Sequence, residues 1–186
     1  MDLHAGQIHG FFDIPVDNLF AVGVFVDYFL KLKLKDLVIV SPDVGGIKMA
    51  RAYAKRFKAH LAIIDKRRDS PDKTEVMHIL GHVKDKNAII VDDLIATGSS
   101  IIEAVEALKK SGAKNIYAAV SHGVLSGPAL ERVDRCHELK ELVITDTIPL
   151  ANHKKHKRIK ILSVAGLLGE AIKRIHNEES VSCLFD

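Results

Sequence analysis

No apolar run in this sequence approaches the ~20 residues needed to cross a bilayer, although 47% of its 186 residues are hydrophobic. A membrane partner is therefore not expected. Charge of one sign is equally scarce: 27 Lys and Arg against 24 Asp and Glu leave a formal +3, too mild to point to nucleic acid. The one basic cluster, His153-Lys-Lys-His-Lys-Arg158, reads as a solvated loop. Cys136 and Cys183 stand far apart and read as reduced thiols of a cytoplasmic protein, with no disulfide expected. No basic stretch followed by an apolar one opens the chain, so no signal peptide is expected. Internal repeats, low-complexity segments and interdomain linkers are also missing, which leaves residues 1–186 as one domain with one sizeable core.

What is present concentrates in Ala88-Ile-Ile-Val-Asp-Asp-Leu-Ile-Ala-Thr-Gly-Ser-Ser-Ile-Ile102. An apolar strand-like run stops at two adjacent carboxylates and passes through a Thr-Gly-Ser-Ser loop. It then enters a helix with Ile101, Ile102, Val105 and Leu108 on one face. A loop of small and hydroxylated residues at a helix start offers backbone N–H groups and hydroxyls to a phosphate. Asp92 and Asp93 before it suit sugar hydroxyls or Mg2+, because adjacent carboxylates at a strand end are costly without a partner. Phosphate on one side and diol or metal on the other is what a 5-phosphoribose site requires. Many such loops, however, only turn the chain.

Strand-like runs recur at Leu37–Val40, Leu61–Ile64, Ala88–Val91, Ile116–Val120, Leu142–Thr145 and Ile159–Leu162. Helical patterns fall at Ile47–Phe57, Ser100–Ser111 (ended by Gly112) and Val164–Ile175, and an earlier one runs from Asn18 to about Leu32 with Asp17 placed to cap it. This alternation predicts an α/β fold, a mostly parallel sheet flanked by helices. Ligands in such sheets sit where loops leave the carboxyl ends of strands, here from Ser41, Asp65 and Asp92. In Ser41-Pro-Asp-Val-Gly-Gly46, Val44, Gly45 and Gly46 form a turn whose glycines permit close approach, and Asp43 offers oxygens to Mg2+. Asp65-Lys-Arg-Arg-Asp-Ser-Pro71 reads as a cationic loop suited to phosphoryl transfer or as a plain surface loop. The amino-terminal stretch adds Asp2, His4, Asp13 and Asp17 as metal or nucleotide candidates. Taken singly, His4 reads as a structural histidine and Asp17 as a helix cap, while His9 reads as surface.

The Asp92 segment resembles the phosphoribosyl-diphosphate-binding signature of type I phosphoribosyltransferases and ribose-phosphate diphosphokinases. The run Asp2-Leu-His-Ala-Gly-Gln-Ile-His-Gly-Phe-Phe-Asp-Ile-Pro-Val-Asp17 narrows this to the diphosphokinases, matching that family's signature at essentially every defined position. Similarity continues through Ser41–Gly46, Asp65–Arg68, Val91–Asp93, Ser121-His-Gly, Thr145–Leu150 and Asn177–Ser180. The resemblance implies a type I phosphoribosyltransferase-like fold and transfer of the diphosphoryl group of ATP to C1 of ribose 5-phosphate, releasing AMP. It implies Mg2+ at His4 and Asp43, with Lys66 as the catalytic residue and Arg68 on substrate. Asp92 and Asp93 serve the ribose hydroxyls and metal, and Ala96, Thr97, Gly98, Ser99 and Ser100 cradle the 5-phosphate. Homo-oligomers, hexamers in the family, are implied as well.

The sequence departs from that family at three points. Ala96 stands where many members carry Asp, with Ser99-Ser100 in place of Gly-Thr, and Met49 stands where many bacterial members carry Arg. The family's chain is also longer: the resemblance implies a further amino-terminal half that supplies most adenine contacts, partly across a subunit interface. On that expectation this portion holds ribose phosphate better than ATP, and Phe11, Phe12 and Phe25 are candidates for the surface the other half covers or, equally, for the core. Two alternatives remain at this stage, a non-catalytic regulatory or associated subunit of the same enzyme and a phosphoribosyltransferase. The Ala-Thr-Gly loop favours the second of these.

Overall fold

The computed structural model describes residues 1–67, 76–150 and 156–185. Its centre is a seven-stranded sheet made of β1 (Leu37–Ser41), β2 (His60–Arg67), β3 (Val76–Leu80), β4 (Asn87–Ile95), β5 (Asn115–Gly123), β6 (Leu139–Thr145) and β7 (Ile159–Leu162), in the order β3-β2-β1-β4-β5-β6-β7. Every pairing is parallel except β2 with β3. The helices are α1 (Val22–Lys31), α2 (Ile47–Phe57), α3 (Ser99–Lys110), α4 (Ala129–Arg135) and α5 (Ala165–His176).

Side chains alternate between the two faces of the sheet, and the helices divide accordingly. Val38, Val40, Ala88 and Ile90 face a core completed by Ile101, Ala104, Val105 and Leu108 of α3 and Val133 of α4. Ile39, Ile89 and Val91 face the other way, onto Phe25 and Phe29 of α1 and Tyr53 of α2. The chain therefore leaves β1 towards one face and β4 towards the other, although the two strands are neighbours. Their register runs from Leu37↔Asn87 to Val40↔Ile90 and ends there. Beyond Ile90, β4 continues with β5 as its partner, and a crevice opens at the topological switch point.

Several sequence expectations need correcting. The first helix starts at Val22, not Asn18, and Asp17 does not cap it. Residues 18–21 instead hold the amino terminus: Asp2 N–H donates to Leu19 O, Leu3 N–H to Asn18 Oδ1, and Ala21 N–H to Asp2 Oδ2. Asp65, Lys66 and Arg67 belong to β2 and not to a loop, because β3 pairs with them from Asp65↔His78 to Arg67↔Val76. Arg68 and the rest of that predicted loop lie outside the described residues. Phe25 is fully buried core, whereas Phe11 and Phe12 are exposed. His9 is half-buried, not surface, on a 3-10 turn spanning Gly6–Phe11.

Candidate active site

Two helix starts and one amino-terminal segment meet at the switch point. α2 begins after Gly46 and α3 after Gly98, and neither receives a side-chain cap. The first N–H groups of a helix have no intrahelical acceptor, so uncapped starts here present donors and a partial positive charge to an anion. In α3 the first such bond runs from Ile102 N–H to Gly98 O. Ser99, Ser100 and Ile101 thus carry the orphan donors, and all three line an open cleft of about 220 Å3. The cleft is completed by Leu94, Ile95, Ala96, Thr97 and Gly98 and, on its other side, by His4, Asp43, Asp92 and Asp93.

The loop is held rigidly from behind. Gly98 has φ +80°, a left-handed conformation suited to glycine, and packs on Ala129 of α4. Arg132 Nη1 donates to Thr97 O at 2.8 Å, and Ser126 N–H to Ala96 O at 2.9 Å. Thr97 Oγ1 and Ser99 Oγ are 3.3 Å apart. α4 and Arg132 had no strong apolar period to announce them, and the sequence reading passed over both.

The acidic side is less comfortable. Asp92 and Asp93 are on β4 itself, past the end of its pairing with β1. Burial pushes the Asp92 carboxyl up to about 7, against the Asp93 N–H it accepts at 2.9 Å, and the nearby Asp93 and Asp43 charges push the same way. Asp93 Oδ2 lies 2.8 Å from His4 Nδ1, and this contact is the main cause of a raised His4 pKa. The His4 ring is otherwise 73% exposed. Asp43 Oδ1 accepts Gly46 N–H at 2.9 Å, and Ser41 Oγ–H donates to Asp43 O at 2.7 Å. Val44 and Gly45 complete that turn as exposed residues. A Cβ on Gly46 would sit 2.7 Å from Ser41 Oγ, so the turn has no room for one.

Among the described residues no three His, Cys, Asp or Glu side chains are grouped to cage an ion alone. Oxygen donors on an under-compensated acidic wall beside an anion cradle fit Mg2+, which is commonly held by one or two carboxylates plus substrate phosphates.

Other predicted residues fall elsewhere. Asp2 is buried on the wall of the larger cleft beside this one, with Oδ2 accepting from Ala21 N–H at 3.0 Å and Ser121 Oγ–H at 2.5 Å, which orients the chain before His4. Asp13 and Asp17 are exposed and line neither this cleft nor the larger one beside it. Lys66 does not line the cleft either: its Nζ is 2.9 Å from Glu103 Oε2. A polar network was also missed in the sequence. Thr145 Oγ1–H donates to Ser121 O, while His122 contacts Thr147 Oγ1 through Nδ1 and the carbonyls of Met1 and Asp2 through Nε2. The signal was available as hydroxyl and imidazole groups ending two apolar strands, Val120-Ser121-His122 and Ile144-Thr145.

The larger cleft, of about 610 Å3, shares His4, Asp43, Asp92 and Asp93 with the first and extends past Lys48, Met49, Tyr53 and Arg56 to Phe20 and Phe185. Met49, where many relatives by resemblance carry Arg, is half-buried on this wall.

This geometry agrees with the comparisons. The adenine phosphoribosyltransferase of Trypanosoma brucei shares the fold, with TM-score 0.51 at 16% identity over 77% of this chain and 63% of that one. The phosphoribosylpyrophosphate synthetase of Mycobacterium smegmatis superposes with TM-score 0.85 at 37% identity, over 95% of this chain and 57% of that one. The ribose-phosphate pyrophosphokinase of Oceanobacillus iheyensis is 52% identical over 186 residues, all of this chain and 58% of that protein, so this chain spans little more than half its relative's length. Residues 68–186 match the phosphoribosyl synthetase-associated domain. That match covers more than half the sequence, and the chain accordingly belongs to the phosphoribosyl synthetase-associated domain family.

Proposed function

We propose that this chain forms the ribose-phosphate-binding and phosphoryl-transfer portion of a ribose-phosphate diphosphokinase, which makes phosphoribosyl diphosphate and AMP for nucleotide biosynthesis. The observation that carries the reading is the pair of uncapped helix starts flanking Asp92 and Asp93 at the switch point. The 5-phosphate of ribose 5-phosphate takes the N–H groups of Ser99, Ser100 and Ile101 and the hydroxyls of Thr97 and Ser99. Ala96 lines the same cleft, and its carbonyl fixes the loop by accepting from Ser126 N–H. Asp92 and Asp93 then meet the ribose hydroxyls, and the sugar lies between the cradle and the Asp43–Gly46 turn.

His4 and Asp43 would hold Mg2+, with Asp92 and Asp93 adjoining; His4 Nδ1 faces Asp93, which fixes the ring and leaves Nε2 for the ion. Bound there, Mg2+ would offset the charge of the transferred group. The C1 hydroxyl oxygen of ribose forms a bond to the β-phosphorus of ATP, and the bond from that phosphorus to the AMP oxygen breaks. AMP leaves with the electron pair, and the hydroxyl proton passes to water. Positioning and electrostatics supply most of the acceleration in such transfers. Lys66 offsets charge on the moving oxygens, and Arg68 serves the same substrate. The protein would work in the cytoplasm, in keeping with two unpaired cysteines, and as a homo-oligomer.

The test is Mg2+-dependent AMP release from ATP and ribose 5-phosphate, with Lys66→Ala alongside. Losing one such charge should lower kcat by ~10²–10³. With the amino-terminal portion of a ribose-phosphate pyrophosphokinase added to the assay, saturable ribose 5-phosphate binding without turnover would favour the regulatory subunit, and folded protein that does not bind ribose 5-phosphate would overturn the reading.

A further inference from the structure

The lysine assigned to the transferred group is held beside the cleft and not in it. Lys66 is the penultimate residue of β2, and Ala62 and Ile64, four and two residues earlier, face the core that α3 covers. Strand alternation turns Lys66 to the same side. Its cross-strand neighbour Met77 packs against that core too. There Nζ meets Glu103 Oε2 at 2.9 Å, with the lysine 21% and the glutamate 44% exposed.

Glu103 is the fifth residue of α3, one turn beyond the Ser99 and Ser100 donors that line the cleft. The core-facing positions of α3 are Ile101, Ala104, Val105 and Leu108, so packing does not call for a carboxylate at 103. Its position answers to charge: within a helical turn of an anion site it opposes the anion, and it occupies the Lys66 ammonium of β2. A partly exposed ion pair of this kind is weak enough to exchange partners.

We propose that Glu103 is an internal competitor for the Lys66 ammonium, holding the lysine against α3 until a polyphosphate entering the cleft displaces the carboxylate. Glu103 is thus a positioning residue acting through Lys66, and it favours ligands with enough charge and reach to draw the lysine away. This rests on the diphosphokinase reading for the nature of the anion, but the ion-pair exchange itself is measurable without turnover.

The experiment compares the chain with its Glu103→Gln, Lys66→Ala and doubly substituted variants, using inorganic tripolyphosphate as probe. Acetylation of Lys66 by a succinimidyl ester, followed by mass spectrometry with the other lysines as reference, should run faster in Glu103→Gln. Calorimetric titration should show tripolyphosphate bound about two- to fivefold more tightly by Glu103→Gln, the worth of a partly exposed pair. The gain should vanish on the Lys66→Ala background. An equal gain on both backgrounds would make Glu103 a general repulsive charge and overturn the proposal, as would unchanged Lys66 acetylation. If acetylation responds as expected while wild type ignores tripolyphosphate, the ion pair restrains Lys66 without competing against a polyphosphate and the proposal falls, whereas the diphosphokinase reading stands or falls on ribose 5-phosphate binding.

Discussion

Replacing Asp92 by Asn removes the charge that burial disfavours most in the cleft while keeping an oxygen for the Asp93 N–H. The native carboxyl has its pKa raised from 3.8 to about 7, by burial first and then by the Asp93 and Asp43 charges. The native state therefore binds more protons than the unfolded chain across that interval, and the free energy of unfolding falls as pH rises through it. Taken in full, the rise is worth about 4 kcal/mol once pH exceeds both values. The cleft is open to water, which raises the effective dielectric constant, so a change of about 1–3 kcal/mol is expected. Urea denaturation at about pH 5 and about pH 8.5 should show the wild type losing that much stability relative to Asp92→Asn. The gap opens from pH 3.8, where the unfolded carboxyl begins to ionise, so at about pH 5 part of it is already present and it widens further up to about pH 8.5. Excess Mg2+ at the higher pH should restore the wild type and not the variant, because an ion that binds only the native state stabilises it. Equal pH slopes in the two proteins would refute the account of Asp92 as an under-compensated buried acid.

Two further substitutions probe the scaffold. Gly98→Ala should cost about 1–2 kcal/mol because Gly98 sits at φ +80°. The added Cβ would lie an ordinary 3.6 Å from Ala129, so the cost is backbone strain, visible as a lower Tm together with weaker ribose 5-phosphate binding. Ser121→Ala leaves the buried Asp2 carboxylate short of the hydroxyl that donates to it. It should cost about 1–3 kcal/mol in urea denaturation; an unchanged midpoint would mean that water replaces the hydroxyl.

Much of the fold was legible because its main elements are local and strongly patterned. The apolar runs at Leu37–Val40 and Ala88–Val91 could only be buried strands once helices of period 3.6 were seen between them, and Gly112 marked the end of α3 at its left-handed turn. What escaped had weak local signals and strong tertiary ones. β3 is five residues, Val-Met-His-Ile-Leu, and exists as a strand because β2 offers it an edge; missing it turned Asp65–Arg67 into a loop. The start of α1 was misplaced because Asn18–Ala21 has good helix-entry chemistry that is diverted to the amino terminus. Those partners lie fifteen or more positions apart, and no window along the chain could reveal the competition.

The candidate site divides in the same way. Thr97–Ser100 could be read from sequence because a phosphate cradle is made of consecutive backbone groups. Its chemistry travels with a short run of small residues at one helix start. Asp92 and Asp93 were legible for a related reason, since two carboxylates ending an apolar strand demand a partner wherever the strand goes. The Asp2–Ser121–His122–Thr145 network was not legible, because it joins an amino-terminal segment to the ends of two strands more than a hundred residues away. By periodicity Glu103 lies off the buried face of α3 formed by Ile101, Ala104, Val105 and Leu108. Only the sheet order, which sets β2 and β3 under α3, brings Lys66 to it. Motifs therefore name the candidate ligand-facing groups and not those that hold or restrain them. Lys66 belongs to both sets: its identity was legible and its partner was not, so its availability to substrate depends on a residue outside every motif in the chain.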